Sequence, residues 1–595
     1  MDAIIEKRIQ EWLTDEYDIE TRTEIQNLID SGNTEELTNR FYQDLDFGTG
    51  GLRGIIGAGT NRMNIYNVAK VTQGVATYIL KQGEKNNSVV ISYDSRHKSP
   101  EFALETALVL AGNGIRAYLF ESLRPTPLLS FAVRHLKTIA GVMITASHNP
   151  SQYNGYKLYW EDGAQVVPPH DKNIISEVRQ VRSIAQVKKL SKEDAISKGL
   201  LTYIGKEIDE AYLDKTMQLM INKDIIKQYN DNVKIVFTSL HGTGITLVPE
   251  LLGRMGFTNI NIVAEQKEPD ADFSTVKSPN PEEASAMKLA LRDAEKINAD
   301  IAMATDPDAD RIGIAVKDNS GKYILLNGNQ TGSLLIYYIL SQLKEKNMLP
   351  ENGVVIKTIV TTELQRSITE SFGLECIDVL TGFKYIGEKI REFEIQQSPE
   401  NPIKQFIVGG EESYGYLTGT FVRDKDAVST AGLLAELSAY AKSKGITIYN
   451  MLEEIYRRYG VYKETGKSIG YEGKEGMETI TKLMTHFRNN LYKYLAGVKV
   501  NYVSDYQKSV NIEPSKKQVI GSIELPASNV IAYHLSDDTK ITIRPSGTEP
   551  KIKFYFAVMV HPEEKSLSEI EPIAQTKIDN FLNFFMDEIK AITSS

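Results

Sequence analysis

Four segments of this 595-residue chain combine reactive side chains with the glycines or prolines that hold them on loops. Thr145-Ala146-Ser147-His148-Asn149-Pro150 follows the apolar run Ile139–Ile144, a short buried strand, and ends at a proline that discourages helix at Asn149. Ser147 is thereby placed on a loop at a strand's end. A serine there becomes a nucleophile if its proton is withdrawn and charge on the incoming group is offset. Taken alone, the segment reads first as a turn whose Ser, Asn and Pro satisfy local backbone groups. His148 does not decide the matter, because sequence neighbours usually point apart. Asp306-Pro307-Asp308-Ala309-Asp310-Arg311 puts three hard oxygen ligands behind the apolar run Ile301–Thr305, a set suited to Mg²⁺ or Ca²⁺ rather than zinc. An EF-hand is excluded, since Arg311 stands at the glycine position and Lys317 at the closing glutamate. An Asp-x-Asp phosphatase nucleophile and a solvated acidic turn both stay open.

Arg544-Pro545-Ser546-Gly547-Thr548-Glu549-Pro550 offers a guanidinium, two hydroxyls and glycine-freed amides, the inventory for a phosphate dianion, though also that of a plain turn. Gly410-Glu411-Glu412-Ser413 supplies carboxylates and a hydroxyl suited to sugar hydroxyls. The glycine-rich run Phe47–Gly57 matches neither the dinucleotide fingerprint nor a P-loop, leaving Arg53 as an anion clamp or an exposed hairpin arginine. Lys157, between Tyr156 and Leu158-Tyr159, is a snorkelling surface residue unless it lies near the serine. There, desolvation or nearby cations would ease loss of its proton and make it a proton shuttle.

These loops need elements to carry them. Residues 1 to about 44 read as two or three helices with Ile4, Ile5, Ile9, Trp12 and Leu13 on one stripe. A helix to about Gln82, strand Ser88–Tyr93, helix Ser99–Gly112 capped by Ser99, strand Ile115–Phe120, another helix and the strand before Ser147 follow, then an alternating strand through Gly155–Tyr159. A second block from Lys206 carries Val233–Thr238 into the loop holding His241, and the run into Asp306. A third, from about Lys322, carries Val354–Val360, Cys376–Leu380 leading to Lys384, and Gln405–Val408 leading to Glu411. Longer charged helices such as 477–495 and short strands follow from about Thr447. The expected fold is α/β: three consecutive mixed, mainly parallel α/β/α sandwich domains plus a smaller C-terminal α+β domain around a cleft. The expected bounds are 1–205, 206–320, 321–446 and 447–595.

Hydrophobic residues make up 41% and charged residues 25%, the balance of a folded globular chain. A net charge of −10 argues against nucleic-acid or anionic-membrane binding, so local Arg and Lys must meet any anionic substrate. The single cysteine, Cys376, leaves no internal disulfide and is read as core. No signal peptide or bilayer-length apolar run is evident, and a cytoplasmic location is expected.

In their order along the chain, the serine, aspartate, Glu-Glu-Ser and Arg-Pro-Ser-Gly-Thr loops together resemble the α-D-phosphohexomutase superfamily, and its phosphoglucomutase and phosphopentomutase-like branch in the Gly48–Gly54 opening and N-terminal extension. Glu-Glu-Ser-Tyr departs from the Glu-Gln-Ser-Gly of the glucosamine-phosphate branch. The resemblance implies a phosphoserine at Ser147, with Mg²⁺ held by its phosphate and by Asp306, Asp308 and Asp310, and Arg311 offsetting charge. It implies Arg544, Ser546, Gly547 and Thr548 on the idle phosphate, and Glu411 and Ser413 on ring hydroxyls. Lys157, with His148 and Lys384 as rivals, would serve as general acid and base, and Arg53 and His241 would line the site. The implied activity is interconversion of glucose 1-phosphate and glucose 6-phosphate, primed by glucose 1,6-bisphosphate. A pentose or mannose phosphate mutase, a Mg-dependent sugar phosphatase and a non-catalytic sugar-phosphate sensor are the alternatives. The expected partners are small sugar phosphates, and the expected assembly is a monomer or homodimer.

Overall fold

The structure, a computed structural model, describes residues 2–45, 51–83, 87–396, 404–471, 473–546, 551–563 and 567–593. Two compact units divide the chain: Met1–Thr331 with Phe383–Ile448, and Gly332–Gly382 with Tyr449–Ser595.

The first unit opens with helices Ala3–Trp12, Ile19–Asp30 and Thr34–Phe41, whose first turns are capped by the side chains of Asp2, Asp18 and Asn33. Ile5, Ile9 and Trp12 are buried against Phe41 and Tyr66. Ile4, expected on that stripe, is instead 64% exposed, because it directly precedes Ile5 and successive helical residues point in different directions, so only Ile5 stays in register with Ile9 and Trp12. Tyr66, near the start of helix Ile65–Gln82, donates its hydroxyl to Asp18 at 2.8 Å and fixes the extension to the domain behind it.

That domain is a six-stranded sheet in the order Gly51–Ile55, Tyr153–Trp160, Ala140–Ile144, Ser88–Tyr93, Arg116–Phe120, Leu201–Ile204. The last four strands run parallel and the first two antiparallel to their neighbours. Its core of Val, Ile, Leu and Ala is covered by Ile65–Gln82 and Ser99–Gly112. Ser99 does not cap its helix as expected. Lys98 holds the cap position at φ 64°, and the Ser99 hydroxyl donates to Asp94 at 2.8 Å, a buried carboxylate that outcompetes the helix amides.

A second sheet orders Tyr323–Leu326, Ile312–Lys317, Ile301–Thr305, Ile235–Thr238, Ile260–Ile262, with the last three parallel. The hairpin Gln405–Glu411 and Gly415–Leu417 completes the unit together with the buried helix Ala427–Ser443, capped by Asp426. Arg423 donates its amide to Ser130 at 2.8 Å, and Tyr212 donates to Asp426 at 2.7 Å, so this segment is pinned to helices of both the first and the second domain.

In the second unit, Gly353–Thr358 and Glu375–Val379 pair in parallel. An antiparallel sheet follows in the order Val461–Gly470, Lys551–Val560, Lys540–Pro545, Ile531–Leu535, Val498–Asp505, Val510–Glu513, Gln518–Ser522, with a core that includes Phe487, Phe554, Phe556 and Phe585. The charged helix expected over 477–495 runs instead from Gly473 to Asn489, and Tyr494–Leu495 pairs as a strand with Val498–Asp505. Glu363 receives Lys357 at 3.0 Å, Lys540 at 2.9 Å and Arg366 at 2.9 Å, joining the two parts of this unit.

Candidate active site

Neighbouring parallel strands place their following loops on one edge, and Ser88–Tyr93 and Ala140–Ile144 are such neighbours. The loop after the first supplies Asp94 and Arg96, and the loop after the second supplies Ser147. Thr145 donates its hydroxyl to Asp94 Oδ2 at 2.6 Å and accepts the Ser147 amide at 2.8 Å. Ser147 sits at φ 54°, a left-handed conformation that costs a non-glycine residue free energy and persists only where the surroundings enforce it. The enforcing group is Arg96. Its fully buried guanidinium pairs with Asp94 at 3.1 Å and donates to the carbonyls of Pro150 at 2.8 Å and Tyr153 at 3.0 Å, and also to those of Ser147 and Asn149. Gly155 must be glycine, since a Cβ would stand 2.5 Å from the Thr145 carbonyl oxygen and 2.7 Å from that of Leu52.

Ser147 Oγ donates to Asp306 Oδ2 at 2.7 Å. The carboxylates of Asp306, Asp308 and Asp310 lie within 4.8 Å of one another and are buried. Thr126, at the start of helix Thr126–Leu136, holds the aspartate loop, giving its amide to the Asp308 carbonyl at 2.9 Å and its hydroxyl to Asp308 Oδ2 at 3.0 Å. Burial, then Asp308 and Asp310, push the Asp306 carboxyl well above its usual range. Burial acts the same way on Asp310, but Lys157, Lys425 and Arg311 outweigh it and hold that carboxyl below the usual range. Asp308 Oδ1 and Asp310 Oδ1 are buried without a hydrogen-bond partner among the described residues. Converging oxygens with unspent acceptor capacity fit a hard divalent cation.

Lys157 lies on strand Tyr153–Trp160, with Nζ 2.6 Å from Asp308 and 3.2 Å from Asp310. Burial lowers its pKa, yet Asp308 and Asp310 carry the balance upward, the reverse of the easier proton loss expected from desolvation. His148, expected to point away, places Nδ1 3.2 Å from Ser147 Oγ, because the left-handed turn at Ser147 brings both side chains to one side. Burial, followed by Arg311 and Arg53, lowers its pKa well below 6.5. Arg311 pairs with Glu282 at 3.0 Å, and its amide donates to Asp306 Oδ1 at 3.0 Å. Arg53 is exposed and reaches Asn149 Oδ1 at 3.3 Å. Glu411 is buried at its strand's end, near enough for its charge to act on Arg311 and Lys425. Ser413, half-buried, lies in the turn that follows.

Two further expected residues of this unit, His241 and Lys384, make contacts with groups outside the aspartate trio. His241 spends both ring nitrogens locally, on the Glu268 carbonyl at 3.1 Å and Thr275 Oγ1 at 2.9 Å. Lys384 opens helix Lys384–Ile395 with Nζ 5.2 Å from the Tyr385 ring, and the carboxylates acting on it are Asp171 and Glu388. In the second unit, Arg544 is at the end of strand Lys540–Pro545, and the Ser546 amide donates to the Lys551 carbonyl at 2.7 Å. Gly547 and Thr548 lie outside the described residues.

Four residues of the cluster escape sequence reasoning: Asp94, Arg96, Thr126 and Lys425. Lys425 bridges Asp310 at 3.2 Å and Asp424 at 2.9 Å, while Tyr159 donates to Asp424 at 2.7 Å. Strand-end position is the one signal that marks Asp94 and Arg96 in the sequence.

Comparison with known proteins bears on the fold and the family. Residues 44–185, 210–321 and 327–459 match the models for α/β/α domains I, II and III of phosphoglucomutase/phosphomannomutase. The chain is 38% identical over 549 residues to a phosphoglucomutase of Staphylococcus haemolyticus (strain JCSC1435), covering 92% of this chain and 96% of the relative. It is 41% identical over 521 residues to a phosphoglucomutase of Staphylococcus aureus (strain MRSA252), covering 87% and 90%. Among solved structures, the open form of the Paramecium phosphoglucomutase pp63/parafusin aligns with a TM-score of 0.68 at 16% identity, covering 93% of this chain and 96% of that one. A phosphoglucomutase/phosphomannomutase family protein from Burkholderia thailandensis aligns with a TM-score of 0.62 at 18% identity, covering 92% and 97%. With its three consecutive α/β/α domains and a β-rich C-terminal domain, the chain belongs to the phosphoglucomutase/phosphomannomutase family of the α-D-phosphohexomutase superfamily.

Proposed function

We propose that this chain is a phosphotransferase-type isomerase that interconverts α-D-glucose 1-phosphate and glucose 6-phosphate, with Ser147 as the phosphoryl carrier. The observation that carries the assignment is Ser147 Oγ at 2.7 Å from Asp306 within a buried aspartate trio.

In the forward direction the P–Oγ bond of phosphorylated Ser147 breaks and a bond from phosphorus to a sugar hydroxyl oxygen forms. The hydroxyl proton passes to a base; His148, whose Nδ1 lies 3.2 Å from the serine oxygen, Lys157 and Lys384 are the candidates. The resulting glucose 1,6-bisphosphate turns over and returns its other phosphate to Ser147, restoring the phosphoenzyme with no net loss of phosphate. Arg53 and Arg311 bring positive charge to the region, and Glu411 with Ser413 would hold ring hydroxyls. His241 would line the site. Arg544, Ser546, Gly547 and Thr548 would grip the phosphate that is not reacting. Asp306, Asp308 and Asp310 would hold Mg²⁺, which when bound offsets the charge that grows on the transferring group. Among the described residues no helix is long and apolar enough to cross a membrane, and we place the reaction in the cytoplasm, on a monomer or homodimer.

The test is incubation with glucose 1-phosphate, Mg²⁺ and a trace of glucose 1,6-bisphosphate. Glucose 6-phosphate should form without inorganic phosphate, and stoichiometric phosphate release would overturn the reading in favour of a phosphatase. Parallel assays with mannose and ribose 1-phosphates rank the sugar.

A further inference from the structure

One cavity in the first unit takes no part in this chemistry. It is a half-open pocket of about 430 Å³ between helix Ala3–Trp12, helix Ile65–Gln82 and residues 175–182, with Arg179 and Arg182 exposed, a volume typical of small-molecule sites. Trp12 and Tyr17, stacked at 4.5 Å, form part of its lining together with the apolar side chains of Leu52 and Val71. Four cations also line it, Arg8, Lys70, Arg179 and Arg182, against two carboxylates, Glu11 and Asp44.

The cations are not spent on those carboxylates. Glu11 pairs outward with Lys7 at 4.0 Å, and Arg8 donates to the Phe41 carbonyl at 2.8 Å. Lys70, Arg179 and Arg182 form no side-chain ion pair among the described residues. Burial lowers the Lys70 pKa from 10.5, with Asp44 opposing the shift. Unmatched guanidinium groups and an ammonium beside an aromatic and aliphatic wall are complementary to a phosphate joined to a compact organic body.

We propose that this cavity is a second ligand site, separate from Ser147, which binds a small phosphorylated metabolite no larger than a nucleoside monophosphate and modulates the serine loop. The route of modulation is short. Leu52 lines the cavity, and Arg53, next in strand Gly51–Ile55, donates to Asn149 Oδ1 at 3.3 Å, two residues beyond Ser147.

The chain has two tryptophans, of which Trp12 lines the cavity, so intrinsic fluorescence reports on occupancy. Inorganic phosphate, pyrophosphate and AMP would be titrated into the full-length protein, the R179E/R182E double variant and Lys70→Gln. At least one probe should give a saturable change in the wild type, with half-saturation raised about tenfold or more in both variants, equivalent to about 1.4 kcal/mol. Turnover of glucose 1-phosphate by R179E/R182E without the probe should stay within about twofold of wild type. No saturable change with any of the three probes, or an unchanged half-saturation in either folded variant, overturns the proposal. The fluorescence readout is independent of whether the chain is a mutase.

Discussion

The guanidinium of Arg96 donates to the backbone carbonyl of Ser147, so the proposed phosphoryl carrier is held from behind by a buried cation. The same side chain gathers the carbonyls of Asn149, Pro150 and Tyr153, and it stacks 4.9 Å over the Phe273 ring. A lysine keeps the charge but loses the planar fork that serves several acceptors at once. Arg96→Lys should therefore lower kcat about 100-fold with little change in KM, as misplacement of a reacting group does. Arg96→Met should also destabilise the fold by roughly 3–5 kcal/mol, because Asp94 is left buried and unpaired. Steady-state kinetics and urea melts check the two outcomes.

If the unspent oxygens of Asp308 and Asp310 hold a divalent cation, as proposed, activity should depend on it. Dialysis against EDTA should abolish turnover, and Mg²⁺ should restore it. In Asp308→Asn the Mg²⁺ concentration for half-maximal activity should rise about tenfold or more, and an unchanged requirement would remove Asp308 from the ligand set.

His148 Nδ1 is the titratable side-chain nitrogen hydrogen-bonded to Ser147 Oγ, at 3.2 Å. His148→Gln should lower kcat by about 100- to 10,000-fold, the range for a general acid–base group. A loss smaller than tenfold would transfer the role to Lys157 or Lys384.

Acid should weaken the second unit through Glu363. Burial would raise this carboxyl, but Lys357, then Lys540, hold it well below the ordinary glutamate value. A carboxylate depressed in the folded state stabilises the protein fully above its unfolded pKa of about 4.3, and that contribution fades as pH falls through the lower folded value. The stability gap between wild type and Glu363→Gln should be constant from about pH 6 to 8 and narrow below about pH 4. Urea midpoints followed by circular dichroism at each pH measure it.

The sequence makes the reactive loops visible because proline, glycine and closely spaced aspartates are unusual neighbours after apolar runs. Ser147, Asp306, Asp308 and Asp310 need only that local signal, and the structure brings them into contact. Arg96 and Lys425 carry no such mark, since a single arginine or lysine is ordinary surface composition until the fold shows what surrounds it. The same limit explains Ser99, whose hydroxyl found Asp94 instead of its own helix. His148 is a subtler case. Its direction depends on the left-handed backbone of Ser147, and that conformation is enforced by Arg96, 51 residues earlier.

The chain passes between its two units at residues 331/332, 382/383 and 448/449, and this interleaving governs how the protein can be made. Glu363 and Lys357 leave the ribosome long before Lys540, which follows Glu363 by 177 residues. At ordinary elongation rates that interval is on the order of 10 to 35 seconds. Throughout it the nascent strand pair Gly353–Thr358 and Glu375–Val379 waits without the Lys540 counter-charge, a stretch of synthesis in which chaperone capture competes with docking.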